Sequence, residues 1–189
     1  MLKKYLVATL FALSLSATAY ASETPTAAPA APAPPAGPMV DGEKAFMNEL
    51  KSAIPADRVV SVDALLAKAQ EVQAGKSKAV ILDIRTHDEF DTGHILGSSN
   101  VDSGHAYTMP GKFPDPETEI YVFCRTKHRA TYFTAMLYKY GYKHVYMVDG
   151  GIAAWAEKGY PLVNEYLGEI KVTKYDKKLK EEFSVREGH

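Results

Sequence analysis

Cysteine is almost missing from this chain: one residue, Cys124, in 189. That excludes an internal disulfide and any paired-cysteine zinc motif, because both need at least two thiols. Neither charge is in strong excess either, with 22 Lys/Arg against 23 Asp/Glu and a formal net charge of −1. A chain so balanced has no global electrostatic reason to bind nucleic acid or an anionic membrane. The six histidines (87, 94, 105, 128, 144 and 189) show no ligand spacing with cysteine or acids, so neither a metal nor another cofactor is expected. Tyr5 to Ala17, the apolar run near the start, falls short of the about 20 residues that a membrane span requires.

What is present begins with that run. Lys3 and Lys4 precede it and Ala19-Tyr20-Ala21 follows as a small-x-small cleavage site, the pattern of a secretory signal peptide over residues 1–21. The expectation is cleavage after Ala21, a periplasmic mature chain and no stable membrane insertion, with an uncleaved anchor as the alternative. No cysteine follows the cleavage site, which excludes a lipoprotein anchor. Cleavage removes two lysines and no acid, so the mature chain is slightly more acidic. Export also bears on the lone thiol. An oxidising compartment favours paired cysteines or none, and a solitary one is open to overoxidation, so function explains its presence better than accident.

Residues 22–40 carry Pro25, Pro29, Pro32, Pro34, Pro35 and Pro38 among alanines and read as an extended tether. Residues 41–57 form an N-terminal helical extension: Phe46, Leu50 and Ile54 recur on one face from Asp41 to Ile54, and Pro55 ends it. The main domain is expected over 58–164. A short strand lies at Arg58-Val59-Val60, and Ser61 is the N-cap of a helix carrying Ala64, Leu65, Leu66 and Ala69. Ala79-Val80-Ile81-Leu82 and Ile120-Tyr121-Val122-Phe123 read as buried strands. Such runs alternating with helices predict an α/β fold with a mostly parallel central sheet flanked by helices. A strand at His144 to Val148 precedes a helix with Ile152 and Trp155, the latter a core residue. Ser103 to Asp115 reads as a loop beside the site, where His105, Tyr107 and Met109 either line the entrance or simply pack. Residues 165–189 form a charged extension with six basic and six acidic side chains, in which Tyr175, Leu179 and Phe183 allow an amphipathic helix. The two extensions offer apolar faces that make a homodimer plausible.

The chemistry concentrates at Ile120-Tyr121-Val122-Phe123-Cys124-Arg125-Thr126-Lys127-His128-Arg129-Ala130. A buried strand ends on Cys124 and, from Arg129, helical spacing runs through Ala130, Phe133, Met136, Leu137 and Tyr140 to a Gly141 cap. Cys124 therefore faces a helix amino end, where free N–H groups and a partial positive charge favour an anion. Successive loop N–H groups can form a nest about the same point. Arg125, Lys127 and Arg129 add three positive charges within five residues, and His128 can add another. All of these favour thiolate over thiol and make Cys124 the candidate nucleophile. The bland alternative is a buried, inert cysteine; three neighbouring cations argue against burial.

Cys-Arg-Thr-Lys-His-Arg-Ala resembles the active-site loop of the rhodanese (sulfurtransferase) family, in which a cysteine accepts sulfane sulfur as a persulfide. Asp83-Ile84-Arg85, Glu89-Phe90 and Gly93-His94-Ile95 with Gly97 resemble the family's first block. Asp149-Gly150-Gly151-Ile152, with Trp155 and Gly159, resembles its closing block. Many family loops carry glycine where Lys127 stands; the form found here is closer to the periplasmic polysulfide sulfurtransferases. The resemblance implies a catalytic Cys124 and a substrate-binding loop of Arg125, Thr126, Lys127, His128 and Arg129. Asp83 and Arg85 are supporting residues, with an Arg85–Glu89 ion pair fixing the turn. His94 reads as a turn-fixing hydrogen-bonder. It further implies a small anionic sulfur donor, polysulfide or thiosulfate, and a thiol, cyanide or protein acceptor. No resolving cysteine exists within the chain, so sulfur must pass to an external acceptor. Two rivals remain: a non-enzymatic sulfur-binding module, and a cysteine phosphatase or arsenate reductase. The latter loops place five residues between cysteine and arginine, as that comparison implies, against four here.

Overall fold

A computed structural model describes residues 38–172. The signal-like run, most of the Pro/Ala tether, and the tail bearing Tyr175, Leu179 and Phe183 lie outside the described residues. Chain order is α1 (Pro38–Ser52), β1 (Val59–Val60), α2 (Val62–Gln73), β2 (Val80–Asp83), α3 (His87–Thr92), β3 (Ser99–Asn100) and α4 (Met109–Lys112). There follow β4 (Glu119–Phe123), α5 (His128–Lys139), β5 (His144–Val148), α6 (Gly151–Glu157), β6 (Leu162–Asn164) and β7 (Gly168–Ile170). The first five strands form one sheet in the order β1-β5-β4-β2-β3, every neighbouring pair parallel. This is the α/β class the alternation of apolar runs and helical periods predicts. No described helix is long and apolar enough to cross a membrane.

Strand parity sorts the core. Successive residues of a strand face opposite sides of the sheet. Ile120 and Val122 therefore join Leu82, Val145 and Met147 on the side covered by α1 and α5. Tyr121 and Phe123 join Ile81 and Val148 on the side covered by α2 and α6, where Trp155 is buried. Each fully buried apolar side chain of this size contributes about 1.5–3 kcal/mol of transfer free energy. Both sheet faces are thus occupied, as uniformly apolar strands require.

The helix ends follow from local chemistry. The Ser61 side chain accepts from the Ala64 N–H and starts α2. Gly141, at φ +99°, ends α5 by turning the chain left-handed, which lets the Tyr142 N–H reach the Leu137 carbonyl at 3.1 Å. Helix α1 begins at Pro38, ahead of the expected Asp41, as the fixed φ of proline suits a first helical turn. Leu50 and Ile54 are buried, but Phe46 is 45 % exposed and Met47 packs in its stead. Helix α1 ends at Ser52, so Ile54 enters the core from the turn beyond it, while Met47, three residues before Leu50, shares the buried face of the helix.

Two segments differ from the expected loops and boundaries. Ser103–Thr108 is a 3₁₀ helix that runs into α4, with Met109 fully buried while His105 and Tyr107 are exposed. β6 and β7 pair antiparallel and straddle the expected boundary after Asn164. The ribbon is tied to the main body by an isolated bridge between His94 and Val163.

Candidate active site

The carboxyl ends of β2 and β4 lie side by side, with Asp83 opposite Phe123. Just beyond, the Ile84 N–H donates to the Phe123 carbonyl at 3.0 Å. Parity turns the next side chain, Cys124, to the α5 side, into a cluster with Ala130, Phe133 and Ile84. The thiol is accordingly buried, at 2 % exposure. This corrects the expectation that three cations would keep it near the surface. The charges ride on the exposed side chains of Arg125, Lys127 and His128, while the sulfur sits beneath them at the strand end.

The loop backbone is fixed by α6. The N–H groups of Ile152 and Ala153 donate to the carbonyls of Cys124 and Arg125 at 2.9 and 3.0 Å. In a trans peptide the C=O and the following N–H point in opposite directions. The carbonyls turned toward α6 therefore aim the N–H groups of Arg125 and Thr126 away from it. Among the described residues, none accepts a hydrogen bond from the N–H of Arg125, Thr126 or Lys127. Unpaired donors in succession, at the start of a 12-residue helix, are the elements of an anion nest. Lys127 occupies the N-cap at φ −155°, so no glycine is required there, and its carbonyl accepts from the Thr131 N–H and Oγ1 at 2.8 and 3.0 Å.

The cations are not equivalent. Arg129 donates two parallel hydrogen bonds to Glu89, Nη1 to Oε2 at 2.6 Å and Nη2 to Oε1 at 2.9 Å. Lys127 Nζ stands 3.8 Å from Asp149. Arg125 is exposed and has no ion pair among the described residues. Glu89 also closes a capping box on α3 with Thr86. Its carboxyl is lowered to about 2, chiefly by the hydrogen bonds from Arg129.

Asp83 and Arg85 form a buried pair, with Arg85 Nε on both carboxylate oxygens at 3.0 Å and Nη2 on Oδ2 at 2.7 Å. The same guanidinium donates to the carbonyls of Glu89 and Gly93, each at 2.8 Å. Asn100 Nδ2 bonds the Asp83 and Arg85 carbonyls at 3.0 and 2.9 Å. The expected Arg85–Glu89 ion pair is not made: Arg85 spends its fork on Asp83 and backbone oxygens, which leaves the Glu89 carboxylate to Arg129. His94 fixes its turn through Nδ1 to the Phe90 carbonyl at 3.1 Å and stacks on the Phe90 ring at 3.8 Å. Among the described residues no group of three or more His, Cys, Asp or Glu is arranged to hold a metal.

The structure thus brings Cys124, the 125–129 loop and Glu89 to one sheet end, with Asp83 and Arg85 bracing the adjacent turn. Glu89, expected to pair with Arg85, holds Arg129 instead, and Asn100 carried no expectation. Thr86-His87-Asp88-Glu89 carries the capping-box spacing that would have placed Glu89 in the first turn of α3. Nothing in the linear pattern links it to Arg129, 40 positions away.

Residues 66–158 match the model of the rhodanese-like domain. Thiosulfate sulfurtransferase 18 of Arabidopsis thaliana is 31 % identical over 129 residues, which cover 61 % of this chain and 92 % of that protein. The thiosulfate sulfurtransferase GlpE of Shewanella oneidensis is 32 % identical over 93 residues, covering 49 % of this chain and 91 % of its own. The fold is also that of the polysulfide-sulfur transferase homodimer of Wolinella succinogenes, with a TM-score of 0.52, 22 % identity, and coverage of 69 % and 93 %. By sequence and by fold, the chain belongs to the family of rhodanese-like sulfurtransferases.

Proposed function

We propose that the protein moves sulfane sulfur from thiosulfate or polysulfide, through a persulfide on Cys124, to a thiophilic acceptor. The observation that carries this reading is the run of loop N–H groups, unpaired among the described residues, that follows a strand-end thiol at the start of α5, with an exposed Arg125 next to that thiol in the chain. In the first half-reaction the Cys124 thiolate attacks the outer sulfur of the donor. A Cys–S–S⁻ bond forms, the donor S–S bond breaks, and its electron pair leaves with sulfite or with a polysulfide one sulfur shorter. The new terminal sulfur is anionic and lies among the N–H groups of residues 125–129, and a preorganised donor of this kind contributes about 3–4 kcal/mol to such a charge. In the second half-reaction cyanide or a thiolate takes the outer sulfur as thiocyanate or an organic persulfide, and the Cys124 thiolate returns.

Thr126 and Lys127 contribute backbone N–H groups in this scheme; Arg125 and His128 contribute exposed charge; Arg129, held by Glu89, fixes the start of α5. Asp83 and Arg85 support the turn beside it. The signal-like segment supports a periplasmic site of action, where the donor is a small extracytoplasmic anion.

The test is Cys124→Ser assayed with thiosulfate and cyanide. The expected result is loss of thiocyanate formation and of the mass gain of one sulfur after donor treatment, with unchanged thermal unfolding. Turnover retained in that variant would falsify the assignment.

A further inference from the structure

Helix α1 precedes the segment that the family model matches, yet it reaches the active-site loop. It presents two faces. Met47, Leu50 and the following Ile54 pack on the core beneath α5. Next to that face, Lys44, Asn48 and Lys51 fall at i, i+4 and i+7, the spacing of a single helical stripe. This stripe, with Glu43 and Met47, lines a cavity of about 350 Å³ whose far wall is His128. His128 is the first residue of α5 and part of the loop that covers Cys124.

The charges in this cavity are unbalanced. Lys139 turns to Glu49 on another part of α1, at 3.9 Å. Lys44 and Lys51 have no ion pair among the described residues, and Glu43 is the one acid in the lining. Two lysines without an ion pair among the described residues, and a histidine, thus line a hollow that borders the active-site loop at His128. Thiosulfate is one S–S bond long, and its charge is spent inside the loop. A longer polysulfide keeps a second negative charge several bonds away from the sulfur being attacked, and a carboxylate-bearing thiol carries its charge at a similar remove. Either would place that charge outside the loop.

We infer that the cavity between α1 and His128 is a subsite for the remote negative charge of an extended sulfur substrate, with Lys44 and Lys51 as its specificity-determining residues. This rests on the proposed passage of sulfur through Cys124. It adds that this helix sets which substrates are preferred. The attraction is that of exposed charges, so it weakens as salt is raised.

The test is single-turnover loading and discharge of the Cys124 persulfide, followed by mass spectrometry, in the parent chain and in the Lys44→Ala, Lys51→Ala double variant. One arm loads from sodium tetrasulfide or from thiosulfate; the other discharges a loaded chain to glutathione or to uncharged 2-mercaptoethanol. The double variant is expected to lose roughly 5–10-fold in the tetrasulfide-to-thiosulfate ratio or in the glutathione-to-mercaptoethanol ratio, as an interaction of about 1 kcal/mol near a surface predicts. A fall in the first ratio identifies the donor as the occupant, and a fall in the second identifies the acceptor. Both ratios unchanged, with persulfide still forming in both proteins, overturns the subsite alone. No persulfide from any donor in the parent chain overturns the proposed function and the subsite with it.

Discussion

Gly151, at φ +53°, lies directly against the carbonyl of Cys124, and the loop depends on that approach. A Cβ at this position would stand 2.8 Å from the carbonyl oxygens of Arg125 and Thr126, and nearer still to that of Cys124. The same first turn of α6 supplies the N–H groups that hold two of these carbonyls. Gly151→Ala must therefore push the loop off the helix and turn its N–H groups out of line. Strain at a left-handed position costs of order 1–3 kcal/mol. The expected result is a drop in kcat/KM of at least tenfold in the thiosulfate–cyanide assay, with the thermal midpoint lowered by several degrees. A variant with parent kinetics would separate the loop's shape from its activity.

Glu89→Gln removes the carboxylate that holds Arg129. The folded carboxyl is lowered to about 2 from an ordinary 4.5, so its stabilisation is complete above about pH 4.5. It is lost as pH falls from there toward about 2. The pair is about one-third exposed, which discounts it to roughly 1 kcal/mol. Urea unfolding should thus show parent and variant separated at pH 7, with the gap narrowing below about pH 4.5 and closing as the pH approaches 2. A gap that stays constant across that range would show that Glu89 acts through something other than its charge.

Asp83 is fully buried and its carboxylate faces one cation, Arg85. Asp83→Ala leaves that guanidinium uncompensated in the interior, which typically costs about 3–5 kcal/mol. Arg85→Lys should also destabilise, because an ammonium cannot reach Asp83 and the carbonyls of Glu89 and Gly93 together. Denaturant midpoints decide this; a shift under about 1 kcal/mol in Asp83→Ala would contradict the bracing role.

Because Cys124 is the one cysteine, alkylation reports on it alone. Arg125, Lys127 and His128 surround a buried sulfur, so anionic iodoacetate should gain on neutral iodoacetamide in the native protein relative to the unfolded chain. Arg125→Ala should remove most of that gain, and so should about 1 M salt, where screening acts within roughly 3 Å. Equal relative rates in native and unfolded protein would show that the loop charges do not act at the sulfur.

The sequence alone determined the elements: apolar, β-branched runs mark β2, β4 and β5, and helical spacing with Ser61 and Gly141 at the ends marks α2 and α5. It also determined the candidate nucleophile, because one thiol between a strand and a cation-rich helix start leaves little choice. These are local properties, encoded by neighbours a few positions apart. Tertiary structure decided the partners and the depth. Strand parity and the cover of α5 bury Cys124 despite its charged neighbours, and a competition among distant groups gives Arg85 to Asp83 and Glu89 to Arg129. It also lays α1 beside His128, across more than 70 positions, so that two lysines and a residue of the active-site loop line one cavity. Such pairings depend on which surfaces meet when helices pack on a sheet, and a linear pattern holds no record of that.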